Sequence, residues 1–112
     1  MLPAKNRLTK DREFNSIFKE GRSFYSGSLG LKYLKNNLGF NRFGILVGVK
    51  VSKLAVKRNL YKRRLRAIIN QENRHLKQGF DLVIITKSEI KNSSYSNLIE
   101  HLNNLFKKSG LK

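Results

Sequence analysis

The chain has 112 residues, with no cysteine, one proline and only seven acidic residues. Without cysteine, disulfides, iron–sulfur clusters and thiolate zinc sites are excluded. The longest apolar runs are a few residues, far short of the ~20 that span a bilayer. No apolar core of a signal peptide follows the first basic residues. We therefore expect a protein of the cytoplasm with no membrane segment.

Basic residues greatly outnumber acidic residues in this sequence. Lysine and arginine number 24, which gives a formal net charge of +17. Because such a chain repels itself, an excess this large indicates an anionic partner, most often nucleic acid. Hydrophobic residues still make up 39% of the sequence, so we expect one folded domain over residues 1–112.

Hydrophobic spacing predicts six elements in the order helix, strand, strand, helix, strand, helix. Their predicted bounds are 9–20, 28–36, 42–51, 52–77, 80–87 and 94–109. Thr9 and Ser52 are the expected N-caps of the first two helices. The first two strands are expected to form an antiparallel hairpin. The predicted fold class is α+β, a single small domain with a small sheet packed with helices.

The second helix carries the strongest signal. Between residues 50 and 66 there are eight cations and no acid, whereas a solvated helix normally interleaves Glu with Lys four residues apart. Its apolar positions fall in one arc that should face the sheet: Leu54, Tyr61, Leu65, Ile68 and Ile69. The cations should form a surface for a polyanion, since arginine binds phosphate bidentately. Neutralising about six phosphates would give a salt slope of roughly −4 to −5.

The remaining candidates are aromatic. Phe14 and Phe18 lie four apart on the first helix, and Tyr33 projects from a neighbouring strand, so the three could form a core or a base-stacking cleft. The acidic residues are scattered, His75 and His101 stand singly, and no phosphate-binding glycine loop occurs. The pattern favours binding over intrinsic catalysis, with no catalytic residue and no metal site.

The segment "RNLYKRRLR", residues 58–66, preceded by "AVK", resembles a known signature. It is similar to that of the protein subunit of bacterial ribonuclease P, which reads Arg-Asn-Arg, a hydrophobe, Lys, Arg and a further Arg. The segments "NRLTKDREFNSIFKEG" and "FDLVIITK" also resemble that family. Two features depart from its pattern: Leu60 stands where the second arginine is expected, and the loop "VKVSKLAVK" lacks a common glycine.

The resemblance implies a small basic protein that binds the catalytic ribonuclease P RNA, one protein per RNA. That RNA removes the 5′ leader from precursor tRNA with Mg²⁺ that the RNA holds, and the protein needs no cofactor of its own. It also implies a left-handed crossover around the basic helix. The implied RNA contacts are Arg58, Asn59, Lys62, Arg63, Arg66, Lys57, Arg64, Lys53 and Lys50. The implied leader cleft contains Phe14, Phe18 and Tyr33.

Other functions fit the same composition. A structural ribosomal protein would share the size and the charge without any role in cleavage. An autonomous nuclease would need carboxylates that cluster, and a membrane-surface role would need the apolar face of the basic helix, which the core already requires.

Overall fold

The computed structural model describes residues 2–48, 50–87 and 94–112. These residues form four strands, three α-helices and two short 3₁₀ turns at Ala4–Asn6 and Asn73–His75. The longer elements, in chain order, are α1 (Asp11–Glu20), β1 (Arg22–Ser26), β2 (Leu29–Lys35), β3 (Arg42–Leu46), α2 (Ala55–Glu72), β4 (Phe80–Thr86) and α3 (Tyr95–Lys108). The predicted α+β class and element order are confirmed, with β1 as an additional strand.

The four strands form one mixed sheet in the order β1-β2-β4-β3. Strand β2 pairs antiparallel with β1 and β4, and β3 pairs parallel with β4. The predicted hairpin of residues 28–36 with 42–51 is therefore wrong, because β4 lies between these strands, which are β2 and β3 of the structure. The hairpin is instead β1–β2, with a two-residue loop in which Gly27 has φ +56°.

Helix α2 connects the parallel neighbours β3 and β4, which forms a βαβ unit. The left-handed sense of this crossover stays a prediction of the resemblance. Strand β3 ends at Leu46 and not at 51, because the chain turns there and the Val51 N–H donates to the Gly48 carbonyl at 3.0 Å. Residue 49, within the predicted strand, lies outside the described residues.

The main core lies between one face of the sheet and helices α2 and α3. Leu29 and Leu31 of β2 point to this face, as do Leu82 and Ile84 of β4. The helices contribute the fully buried side chains Leu65, Ile68, Ile69, Leu98, Leu102, Leu105 and Phe106. Because both helices bury an apolar stripe, their polar sides face outward.

The opposite face of the sheet holds α1 over a smaller cluster of Leu8, Ile17 and Val83. Phe14 packs at its edge against Gly44, where an added Cβ would lie 2.4 Å from the phenyl ring. Gly44 thus allows α1 to approach β3 closely. The sheet therefore separates two different surfaces, α2 with α3 on one side and α1 on the other.

Both predicted N-caps differ from those in the structure. Helix α1 starts at Asp11 with Lys10, not Thr9, as its N-cap; the Glu13 carboxylate accepts from the Lys10 N–H at 3.1 Å. Helix α2 has Leu54 as its N-cap, and the Ser52 hydroxyl accepts from the Leu54 N–H at 3.2 Å in the turn before it. The N-cap of α3 is Ser94, whose hydroxyl accepts from the Asn97 N–H at 3.1 Å.

Candidate nucleic-acid interface

Helix α2 presents two chemically distinct sides. Leu65, Ile68 and Ile69 are buried in the main core, and Tyr61 packs against it half-buried. The basic side chains lie on the other sides of the same helix. Because the sheet occupies the buried side, the cations point away from it and form an outer surface.

The predicted RNA contacts are all at least partly exposed. Lys50, Lys53, Lys57, Asn59 and Arg63 are exposed, and Arg58, Lys62, Arg64 and Arg66 are half-buried. None of the eight cations between residues 50 and 66 forms an ion pair with a carboxylate of the described residues. The helix thus carries a concentrated positive charge that no described acid neutralises, as a phosphate-binding surface requires.

Two details of this surface differ from the sequence-based picture. Leu54, predicted to face the sheet, is 60% exposed, because it caps the helix and lies outside its regular spacing. It lines a depression of about 240 Å³ together with Ser52, Lys57 and Tyr61. Arg58 also has a structural contact, since its guanidinium donates to the Ser52 carbonyl at 2.8 Å and holds the preceding turn against the helix.

Arg66 connects the two sides of the molecule. It lines a cavity of about 280 Å³ at the β3 edge, together with Arg7, Thr9, Phe14 and Gly44 among others. Phe14 belongs to α1, on the other face of the sheet. The cationic surface of α2 therefore continues around the β3 edge toward α1.

The second candidate surface, called the α1 cleft, is on the α1 side of the sheet. Phe14 lines the cavity at the β3 edge, and Phe18, one helical turn later, lies beside Lys32 of β2. Phe14 is half-buried, whereas Phe18 is 39% exposed. The Lys32 ammonium lies 5.4 Å from the centroid of the Phe18 ring. An exposed ring beside a cation is the combination that single-stranded nucleic acid uses, with the base on the ring and the phosphate near the cation.

Tyr33 is not part of this cleft. Its ring is 9% exposed in the main core, stacked on Phe24 at 6.0 Å and edge-on to Phe80 at 5.6 Å. The Tyr33 hydroxyl donates to the Ser109 carbonyl at 3.2 Å. Because side chains alternate along a strand, Tyr33 shares the face of Leu29 and Leu31, while Lys32 points toward α1. The sequence reasoning missed Lys32, because alternation separates it from Tyr33 but does not show which of the two residues faces α1.

Arg42 fixes α1 on the sheet. Its guanidinium donates to both carboxylate oxygens of Asp81 on β4, at 2.8 and 2.7 Å, and to Glu13 of α1. Asn36 adds a third donor to Asp81 at 2.8 Å. The hydrogen bond with Asp81 is the main reason why the pKa of Arg42 is raised. Burial acts to raise the pKa of Glu13, but hydrogen bonds from Lys10 and Arg42 outweigh it and the pKa is lowered.

In the part of the chain that the structure describes, no three His, Asp or Glu side chains come together as metal ligands would. None of the described helices is long and apolar enough to cross a membrane. The geometry offers a cationic surface and an aromatic cleft, both of which suit binding.

The ribonuclease P family model matches this chain over residues 2–110. The chain belongs to the ribonuclease P protein family. The ribonuclease P protein component of Pseudanabaena sp. is 38% identical over 110 residues, which cover 97% of this chain and 95% of that protein. The component of Syntrophomonas wolfei is 33% identical over 111 residues, with 99% and 92% covered.

Solved structures of ribonuclease P proteins agree with this assignment. The Thermotoga maritima protein, in complex with 1-(4-fluorophenyl)-2-thiourea, superposes with a TM-score of 0.83 at 34% identity, covering 91% of this chain and 98% of that one. The Staphylococcus aureus protein has a TM-score of 0.87 at 24% identity, with 95% and 96% covered, and supports the fold alone. As a ribonuclease P protein component, the chain is a subunit of an RNA-processing enzyme and a partner of ribonuclease P RNA.

Proposed function

We propose that this protein binds the catalytic ribonuclease P RNA through α2 and the 5′ leader of precursor tRNA through the α1 cleft. The RNA subunit then removes the leader in a Mg²⁺-dependent hydrolysis. One protein acts with one RNA, in the cytoplasm. The observation that carries the proposal is that the cationic side of α2, which no described carboxylate pairs, and the aromatic cleft lie on different faces of one sheet.

The catalytic-RNA surface consists of Arg58, Asn59, Lys62, Arg63 and Arg66, with Lys50, Lys53, Lys57 and Arg64 around them. The arginine guanidinium binds two phosphate oxygens at once, and lysine adds positive charge without a fixed hydrogen-bond geometry. Binding releases counterions from the RNA, so its affinity falls steeply with salt. The buried stripe of α2 keeps the helix anchored while its outer side is occupied.

The leader cleft consists of Phe14, Phe18 and Lys32. An unpaired leader has bases free to stack, and stacking on an aromatic ring tolerates any sequence. This suits a protein that must act on precursors with different leaders. Holding the leader increases the affinity for precursor over mature tRNA, which has no leader.

The metal chemistry belongs to the RNA in this proposal. Mg²⁺ supplies the activated water and the charge stabilisation that hydrolysis of a phosphodiester needs. The protein contributes binding energy, orientation of the leader and neutralisation of phosphate repulsion. With its cations close to the RNA, the complex should need less free Mg²⁺ than the RNA alone.

Reconstitution tests the proposal directly. The protein is mixed with a bacterial ribonuclease P RNA and a precursor tRNA at limiting Mg²⁺, and leader removal is measured with and without protein. We expect faster removal with protein, and no cleavage by protein without RNA. No gain from the protein would contradict the proposal, and sequencing of RNA that co-purifies from cells would then show whether ribosomal RNA is the partner instead.

A further inference from the structure

One row of residues on the α1 side of the sheet is exposed at its two ends, where Tyr25 is 52% and Leu46 is 37% exposed. Between them, Gly30 is buried and Ile85 packs half-buried against the cluster under α1. The strand registers align Tyr25 with Gly30, Gly30 with Ile85, and Ile85 with Leu46, so these residues cross all four strands side by side. In the next row, Val83 is buried and Gly44 lies under Phe14. Helix α1 therefore covers the row of Val83 and Gly44 and leaves the neighbouring row, called the open row, exposed at its Tyr25 and Leu46 ends.

Tyr25 stands at the β1 end of the open row. Its ring is 52% exposed, although it is fixed from two sides. A Cβ added at Gly30 would lie 2.9 Å from the ring, so the ring packs directly on the strand where glycine leaves space. The Lys87 ammonium lies 5.0 Å from the ring centroid. The ring is thus held in place while much of its surface faces solvent.

The charge around Tyr25 identifies the chemistry of an occupant. The Lys87 ammonium lies near the ring, and Lys108 donates to the Tyr25 carbonyl at 3.1 Å. Lys32 lies on the adjacent row beside Phe18. An exposed aromatic ring with lysines around it complements a base flanked by phosphates, which is a single-stranded RNA. The same pairing of ring and lysine occurs at Phe18, at the α1 border of the open row.

We propose that Tyr25 is a second base-stacking subsite, which binds a leader nucleotide other than the one at Phe18, with Lys87 near its phosphate. This inference rests on the proposed function and extends the cleft from α1 to the β1 edge. Gly30 is the positioning residue, because any side chain there would displace the ring. The sequence gives no helical or motif signal for this subsite, since it depends on pairing between β1 and β2.

The test uses holoenzyme reconstituted with ribonuclease P RNA and compares affinity for precursor tRNA, with a leader of about ten nucleotides, and for mature tRNA. Tyr25→Leu keeps an apolar side chain and removes the ring, and Tyr25→Phe keeps the ring. The matched control is Tyr95→Leu on α3, where the ring is 43% exposed. Tyr25→Leu should weaken precursor binding about fivefold, the loss of one stacked base. Tyr25→Phe and Tyr95→Leu should bind as wild type.

A scan with abasic leader nucleotides identifies the occupant. One abasic position should reproduce the loss of Tyr25→Leu, and combining the two changes should add no further loss. Unchanged precursor affinity in Tyr25→Leu, or an equal loss for mature tRNA, would overturn the subsite while leaving the proposed function standing. A wild-type holoenzyme that binds precursor and mature tRNA equally would overturn both.

Discussion

At the scale of single residues, Lys32 and Tyr33 demonstrate how one step along a strand changes the role of a side chain. The two are adjacent, yet the Lys32 ammonium lies over Phe18 and the Tyr33 ring is in the main core. The alternation of Leu29, Leu31 and Tyr33 is visible in the sequence. This alternation predicts that the three side chains share one face of the sheet. It does not predict which face meets α1, because that depends on α2 and α3, which lie far along the chain and cover the other face.

Tyr33→Phe is expected to lower stability and leave leader binding unchanged. The substitution removes the hydroxyl that donates to the buried Ser109 carbonyl, which should cost about 1 kcal/mol in the free energy of unfolding. Urea denaturation measures the loss, and holoenzyme affinity for precursor tRNA is the second measurement. A weaker precursor affinity with unchanged stability would place Tyr33 in the cleft after all.

Arg42→Gln is expected to be the most damaging polar substitution, because it leaves the buried Asp81 carboxylate without its bidentate partner. Removing one member of such a pair costs about 3 kcal/mol. Arg12→Gln, at an exposed position of α1, is the matched control and should stay within about 0.5 kcal/mol of wild type. Equal unfolding midpoints for the two variants would show that the Arg42 network does not hold α1.

The lowered pKa of Glu13 gives a pH dependence. A group whose folded pKa is depressed stabilises the fold fully above its unfolded value and loses that contribution as pH falls through the folded value. The stability difference between wild type and Glu13→Gln should therefore be largest above pH 4.5, the ordinary value, and shrink below it. Urea titrations from pH 7 downward measure it, and a difference that grows with acid would contradict the contact with Arg42.

At the scale of elements, the sequence predicts best those helices and strands that have a long, continuous set of apolar side chains. The apolar positions of α2 and α3 and the continuous run of β4 were predictable, because each buries one contiguous set of side chains. Strand β1 was not, since Phe24 is its one side chain that packs on the main core. The hairpin of β2 with β3 was predicted wrongly because strands that are neighbours in sequence are the default partners. Only the crossover through α2 brings β4 between β2 and β3.

The departure at position 60 can be tested within α2. Leu60 is half-buried in the helix, among the cations, where the family's signature has arginine. Leu60→Arg should tighten binding to ribonuclease P RNA and steepen the salt slope by about 1, since one more phosphate is neutralised. The control is Asn104→Arg, which adds the same charge to an exposed position of α3. Equal effects of the two variants would place position 60 outside the RNA contact.

At the scale of the whole molecule, the net charge of +17 and the fold together define the candidate site. Composition alone predicts an anionic partner, and the family membership identifies ribonuclease P RNA as that partner. What composition could not predict is the separation of α2 and α1 by the sheet. It follows from the topology, since α2 crosses on one face and α1 packs on the other. Two RNA segments could therefore be bound at once on different faces, and the two surfaces meet only at the β3 edge, where Arg66 and Phe14 line one cavity.

The most direct test of this separation measures two affinities for two kinds of variant. One is the affinity of the protein for ribonuclease P RNA, and the other is the preference of the holoenzyme for precursor over mature tRNA. Lys62→Gln combined with Arg63→Gln should weaken the first and, at saturating protein, leave the second unchanged. Phe18→Leu should leave the affinity for ribonuclease P RNA unchanged and reduce the preference for precursor over mature tRNA. Lys107→Gln on α3 should change neither quantity. If the α2 and α1 variants each lowered both affinities by similar factors, the two surfaces would not be separate sites and the central claim would be wrong.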